Sequence, residues 1–430
     1  MPEPTTPLAE RPWEDVERLL GVDEALERIL HGVVALPIVD LPLLDALGLV
    51  LAEDLIAPAN VPPFRNSAMD GYAVRTEDTS RARPESPVTL PISGMIAAGF
   101  GLSANLPPGT AMRIMTGAMM PGGADAVVRF EETDEFDRPA GPDRDTVSIA
   151  RAPSLLDNVR EAGEDIRQGD MVLRAGRVLT AADLGIHAAL GLTSARVVRR
   201  PRVAIISTGD EVVEPGGILP PGKIRNSNTT TLAAFARSWG AEVETLGIAA
   251  DTLDGISDRL ARAASADVIV TSGGVSMGDY DFVKDALRQH GEIAIWQVRM
   301  KPGKPLAFGH VGKAPLLGLP GNPVAAAISM VVFGRPLIRR MLGLPESSTT
   351  AAMAVLAESI DNRGMRRHYV RVQVSDENGE WVARTAGSQG AGVLSSLSRA
   401  NALLVIPETT ELAEPGQRFP FIPMDESAVR

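Results

Sequence analysis

ADVIVTSGGVSMGDYDFVKDALRQHGEIAIWQV, residues 266 to 298, decides the fold. ADVIVTS is a short apolar run, DFVKDALRQHG carries helical spacing and stops at Gly291, and EIAIWQV is a second apolar run. The same alternation extends upstream through PRVAIIST (201–208), NTTTLAAFARSWG (228–240, closed by Gly240), VETLGIA (243–249) and DGISDRLARAASA (254–266, with Asp254 as N-cap). Strand and helix in strict alternation predict a parallel α/β domain over 201–345, with ligands bound beyond the carboxyl ends of the strands. NPVAAAISMVVFGRPLIRRML (322–342) closes it as a long helix with Asn322 as N-cap, Pro323 at the first turn and a kink at Pro336.

Further out, residues 14–35 place Leu19, Leu20, Leu26, Ile29 and Leu30 at helical spacing. From Ala57 to about residue 153, short apolar runs mixed with Pro and Gly and lacking a 3.6-residue period read as a β-rich domain. LTAADLGIHAALGL (179–192) is helical again and is expected to pack beside the opening helix, so a helical domain (11–56 and 154–200) is interrupted by the β-rich one (57–153). YVRVQV, EWVARTA and NALLVIP predict a small C-terminal β domain over 346–430. The expected fold is multidomain α/β plus β.

The 430 residues are 44% hydrophobic, enough for several cores. A net charge of −12 with no basic block argues against a general nucleic-acid or anionic-membrane surface, and no apolar stretch reaches the roughly 18 residues of a membrane span. The cytoplasm is the expected compartment. The absence of cysteine excludes disulfides, iron–sulfur clusters, thiolate zinc sites and cysteine nucleophiles, and the five histidines are scattered. Any metal would therefore sit on oxygen ligands, which favours Mg²⁺.

Four loops carry chemistry. In TSGGVSMGDYD (271–281), Ser272, Gly273, Gly274 and Ser276 offer backbone N–H groups and hydroxyls to an oxyanion. Asp279 and Asp281 beside such a nest call for a bridging cation. STGDE (207–211) repeats the pattern at another strand end: Ser207, Thr208 and Gly209 for an anion, Asp210 and Glu211 as cation ligands. KPGKP (301–305) fixes Lys301 and Lys304 about a Pro-Gly turn, and GLPGNP (318–323) brings Pro320, Gly321 and Asn322 to a helix N-terminus. Together they outline one polyanion site. The nearest P-loop match, GILPPGKI, ends in Ile224 where Ser or Thr is required, and no GxGxxG opens a helix.

SAMDGYA (67–73), TGAMMPGGADAVVRFEE (116–132), STGDE, TSGGVSMGDYD, MKPGKP (300–305) and GLPGNPVAA (318–326) run in order along the chain and resemble the MoeA family of molybdopterin molybdenumtransferases, whose eukaryotic counterpart is the gephyrin E domain. The resemblance implies an elongated homodimer of four-domain subunits: a helical domain interrupted by a β domain, a central molybdopterin-binding α/β domain and a C-terminal β domain. It implies that adenylylated molybdopterin and molybdate, with Mg²⁺ assisting, give molybdenum cofactor and AMP. An adenylyltransferase would act upstream, and molybdoenzymes would receive the product.

Carried onto this sequence, the family pattern makes Asp70 and Thr116 catalytic positions from the β domain, facing Glu211, Asp281, Lys301 and Lys304 from the α/β domain of the other subunit. Asp165 and Asp251 also match acidic positions of the family. GSQGAGVLSS (387–396) resembles its GSQGSG segment with Ala391 replacing a serine, and Arg366, Arg367 and Arg371 read as a solvated strand face. Two other functions fit parts of the pattern: a molybdopterin adenylyltransferase, which needs only the α/β domain, and a non-catalytic carrier or scaffold.

Overall fold

The computed structural model describes residues 19–99, 105–136, 144–274, 293–344 and 352–424. The chain divides into two compact units, one of Met1–Asp40, Gly48–Ala52 and Arg196–Arg430, the other of Leu41–Leu47 and Glu53–Ala195.

At the centre of the larger unit is a six-stranded sheet in the order Glu242–Ala249, Arg202–Thr208, Val268–Ser272, Ala314–Leu319, Pro305–Val311, Ile293–Gln297. The first four strands are parallel, whereas Pro305–Val311 runs antiparallel to both of its neighbours. The sheet is thus mixed, which corrects the wholly parallel expectation. The cause is local: Val311 pairs with Ala314 across Gly312-Lys313, and Gly312 has φ +60°, so the chain reverses in a hairpin rather than crossing over.

Ser227–Ser238 and Leu253–Arg262 flank the parallel strands. The N-cap of the second helix is Thr252, whose hydroxyl accepts from the Gly255 N–H, and Asp254 lies inside the first turn instead. Pro336 is accommodated without breaking the long helix: Pro323–Ser329 continues through a π-helical turn, Met330–Gly334, into Arg335–Met341. The opening helix, Val22–Leu30, buries Val22, Ala25 and Ile29 in the same core as Leu337, Ile338 and Met341. The other helix of the expected pair, Ala181–Ala189, belongs to the second unit, where a Thr180/Asp183 capping box starts it.

The C-terminal strands close on themselves. Arg367–Glu377, Glu380–Thr385, Ala352–Leu356, Arg418–Pro423 and Ala402–Ile406 pair in that order, and the last pairs back onto the first. Closure leaves no free edge and encloses a core that includes Leu356, Val372, Leu404 and Phe421. Met300–Lys301 adds to this barrel alongside Arg367–His368, which ties the KPGK turn to it.

In the second unit, a five-stranded sheet runs Ala126–Arg129, Gly71–Val74, Ala111–Ile114, Val88–Ile96, Thr146–Ile149. All four residues of Gly71–Val74 are buried, Tyr72 and Val74 in one core and Ala73 in another, as the two-residue pleat requires.

Candidate functional site

Beyond the carboxyl ends of the parallel strands the larger unit holds a cleft of about 630 Å³. Ser207, Thr208, Gly209 and Glu211 line it from one strand end, Ser272, Gly273 and Gly274 from the next, and Pro320, Gly321 and Asn322 from a third. Three of the four predicted loops therefore meet in one place. They meet closely: a Cβ on Gly273, where φ is +94°, would lie 2.8 Å from both the carbonyl oxygen and the hydroxyl of Thr208. The Thr208 hydroxyl is buried and has no partner among the described residues. Ser276, Asp279 and Asp281 lie outside the described residues.

Two asparagines that the motif reading passed over hold the cradle. Asn226 caps the Ser227–Ser238 helix, its Oδ1 accepting from the Thr229 N–H and the Ser207 hydroxyl. Asn228 donates through Nδ2 to the Ser272 hydroxyl and to the Gly321 carbonyl, both at 2.8 Å, which joins two of the anion loops. The sequence signal was RNSN at a helix start, where the first Asn suits the N-cap.

Asp251 is also part of the cleft wall, and it sits against Asp210: each backbone N–H points at the other's carboxylate, at 3.3 and 3.4 Å. Burial pushes the Asp251 carboxyl up, and the negative charges of Asp210 and Glu211 push it in the same direction. A divalent cation would relieve that repulsion. No three Asp, Glu or His side chains among the described residues are already gathered as a ligand set. Asp165, by contrast, is an exposed turn residue of the other unit, its N–H bonded to the Val61 carbonyl.

The KPGK turn is closed by the Val298 N–H donating to the Lys304 carbonyl. Pro305, the next residue, reaches the cleft, while neither lysine is among its lining residues. Gly303, at φ +101°, approaches the helix that follows the PGN loop so closely that a Cβ would lie 2.7 Å from the Ser329 hydroxyl. Beside this turn, and on the two faces of the strand that pairs with Met300–Lys301, several buried polar atoms lack a partner among the described residues: Ser329 Oγ, both ring nitrogens of His368, and Nη1 of Arg371. Burial, reinforced by the charges of Lys301, Arg371 and Arg366, pushes His368 down to about 3. Burial alone pushes Arg371 down to about 10.

Arg367 and Arg371 are therefore not a solvated face. Arg367 forms a bidentate pair with Asp23 at 2.6 and 2.7 Å and also meets Glu408 at 3.2 Å. Arg371 is fully buried and holds the 387–396 segment through Ser388, Gly390 and Ser396. The strand does alternate, but its outer face is covered: Tyr369, Leu403 and Val405, on the same side as Arg371, pack into the large core of this unit, and the 387–396 segment lies over the guanidinium.

In the second unit, Asp70 and Thr116 come together. One carboxylate oxygen of Asp70 accepts from the Thr116 N–H at 2.6 Å and from its hydroxyl at 2.9 Å. These two bonds, the backbone one first, hold the Asp70 carboxyl below the usual carboxylate range. The next residue, Gly71, can only be glycine, since a Cβ there would sit 2.0 Å from the Val128 carbonyl oxygen. Behind it the Tyr72 hydroxyl donates to Glu135 at 2.6 Å, and Arg113 pairs with the same carboxylate at 2.7 Å.

Both units match known proteins. The MoeA N-terminal region (domain I and II) matches residues 20–191, a probable molybdopterin binding domain matches 204–340, and the MoeA C-terminal region (domain IV) matches 353–424. Molybdopterin molybdenumtransferase 2 of Mycobacterium tuberculosis is 43% identical over 378 residues, covering 86% of this chain and 91% of its own length. The chain belongs to the MoeA family. Molybdopterin molybdenumtransferase of Bacillus subtilis is 35% identical over 400 residues, 93% of this chain and 92% of the relative. The crystal structure of a molybdopterin biosynthesis MoeA protein from Pyrococcus horikoshii aligns with a TM-score of 0.79 at 31% identity, over 94% of this chain and 99% of that one. Among the described residues no helix is long and apolar enough to cross a membrane.

Proposed function

We propose that this chain is a molybdopterin molybdenumtransferase, converting adenylylated molybdopterin and molybdate into molybdenum cofactor and AMP. The observation that carries the reading is the cleft itself: three glycine-bearing loops, two of them with hydroxyls, converge at the strand ends, in a chain that matches relatives of that name over most of its length. The match extends through the β-sheet unit and the C-terminal barrel, which disfavours an adenylyltransferase built on the α/β domain alone.

In this reading the Gly209, Gly273 and Gly321 loops bind the phosphates through backbone N–H groups and the Thr208 and Ser272 hydroxyls, while the Ser207 hydroxyl is taken up by Asn226. Lys301 and Lys304 add positive charge as the pyrophosphate bond breaks. The unpartnered Ser329 hydroxyl beside the KPGK turn and the Arg371 guanidinium on the outer face of the barrel strand suit a small tetrahedral oxyanion, and molybdate is the substrate of that description, whereas His368 faces the barrel interior. Asp210, Glu211 and Asp251 would help hold Mg²⁺, which when bound neutralises charge on the phosphates. Asp70 stays ionised under its two Thr116 bonds and acts from the β-sheet unit of a second copy in a homodimer. An upstream adenylyltransferase supplies the substrate, molybdoenzymes take the product, and the cytoplasm is the setting.

Incubation with adenylylated molybdopterin, molybdate and Mg²⁺ tests the reading against its alternatives. AMP released without ATP consumption supports it. Consumption of Mg-ATP with pyrophosphate release would indicate the adenylyltransferase, and tight pterin binding with no AMP would indicate a carrier.

A further inference from the structure

One wall of the cleft comes from the C-terminal barrel rather than from the α/β sheet. Gly392 and Leu394 line it, and Leu394 is a 37% exposed apolar side chain, whereas the other apolar lining residues, Val212, Ile224 and the prolines, come from the α/β domain. The segment that carries them has little regular structure of its own. It is pinned at two points.

The first is a side chain acting as a short strand: Gln389 Oε1 accepts from the Arg371 N–H at 2.9 Å, while Nε2 donates to the Arg371 carbonyl at 3.1 Å and the Gly387 carbonyl at 2.9 Å. The buried Arg371 guanidinium meets the same segment at the Ser388 and Gly390 carbonyls. The second is Ala391, whose carbonyl accepts from the Val324 N–H at 3.1 Å, the first turn of the helix following the PGN loop. The backbone carbonyl supplies that bond, so the residue needs no hydroxyl here. The barrel segment is thereby fastened to the anion cradle itself.

We propose that Leu394 is a specificity contact of the cleft, giving an apolar surface to the planar heterocycle of the substrate, and that Gln389 is the positioning residue that holds it there. The inference rests on the reading of the cleft as a molybdopterin site. The ligand class follows from the wall: a phosphate needs hydrogen-bond donors, which the strand-end loops supply, whereas Leu394 offers no polar atom and suits a flat ring.

The test uses the full chain and two probes, inorganic pyrophosphate and a pterin phosphate, with Leu394→Ser and Gln389→Met. Leu394→Ser changes an exposed side chain and leaves the fold intact, which keeps the test meaningful if Gln389→Met unfolds. The expected result is about tenfold weaker binding of the pterin phosphate by both variants, equivalent to ~1.4 kcal/mol, with pyrophosphate affinity unchanged. In turnover the same change raises KM for the adenylylated pterin and spares kcat, a split that general destabilisation does not produce. Wild-type pterin affinity in Leu394→Ser overturns the proposal. The two readings separate: a wild type that releases no AMP, yet whose variants lose pterin binding, keeps the wall and discards the transferase. A wild type that turns over while Leu394→Ser binds pterin normally does the reverse.

Discussion

Gly71→Ala is the substitution whose consequence the structure fixes most narrowly. A Cβ at this position would lie 2.0 Å from the Val128 carbonyl oxygen and 3.0 Å from the Arg129 Cα, against a floor of about 3.0 Å for such contacts. The two strands must separate by about 1 Å at a point where Gly71 pairs with Arg129 on one side and Ile114 on the other. Overpacking of this kind costs ~1–3 kcal/mol, and each ladder hydrogen bond lost adds ~0.5–1.5 kcal/mol, so the β-sheet unit loses roughly 2–5 kcal/mol. At ~2–4 °C per kcal/mol for a unit of this size, its calorimetric transition falls by roughly 5–20 °C. The same displacement moves Asp70 off Thr116, so activity falls further than the unfolded fraction accounts for. A variant with wild-type melting and turnover would show that the contact at Val128 is not as close as described, and the explanation for glycine after Asp70 would be lost with it.

Other outcomes follow from single sites. His368 is held down to about 3, against an ordinary value of 6.5, so the unfolded chain binds a proton there that the folded chain does not; stability is full above the unfolded value and is lost as pH falls from about 6.5 toward 3, by up to ~1.4 kcal/mol per pH unit. Urea titrations at pH 7, 6 and 5 should show that slope in wild type and a shallower one in His368→Phe, and equal slopes would contradict the neutral buried imidazole. Thr116→Val keeps the backbone bond to Asp70 and removes the hydroxyl bond, so it should cost turnover about tenfold, whereas Asp70→Asn should abolish it; parity between the two would show that charge at Asp70 is immaterial. If subunits share sites, co-expressed Asp70→Asn and Lys304→Ala chains should regain up to about a quarter of wild-type activity, because in statistical pairing half the dimers are mixed and each mixed dimer has one intact site. Each variant inactive alone and the mixture equally inactive would place both residues in one subunit's site.

The α/β domain was legible because its helices and strands carry strong periodic patterns and its loops sit where chain chemistry must cluster. Even there the hairpin Pro305–Val311 to Ala314–Leu319 was missed: PLAFGHVGKAPLLGL contains two buried strands joined by Gly312-Lys313, and a fully apolar run does not reveal direction. Asp254 and Thr252 are both good N-caps, and two residues of ambiguity are inherent in reading helix ends from sequence. Arg371 was misread for a different reason. Its burial comes from packing of the barrel's outer face into the unit's large core and from the 387–396 segment, contacts far apart in sequence that no local pattern encodes. The pairing of Asp70 with Thr116 is likewise a contact across 46 positions, visible beforehand only through the family pattern.

The most direct test of the account is to quantify molybdenum transferred to pterin and AMP released in one reaction containing adenylylated molybdopterin, molybdate and Mg²⁺. The account predicts equal amounts of the two, appearing together and both absent in Asp70→Asn. AMP released without molybdenum gained, or molybdenum bound with the adenylyl group left in place, would contradict it.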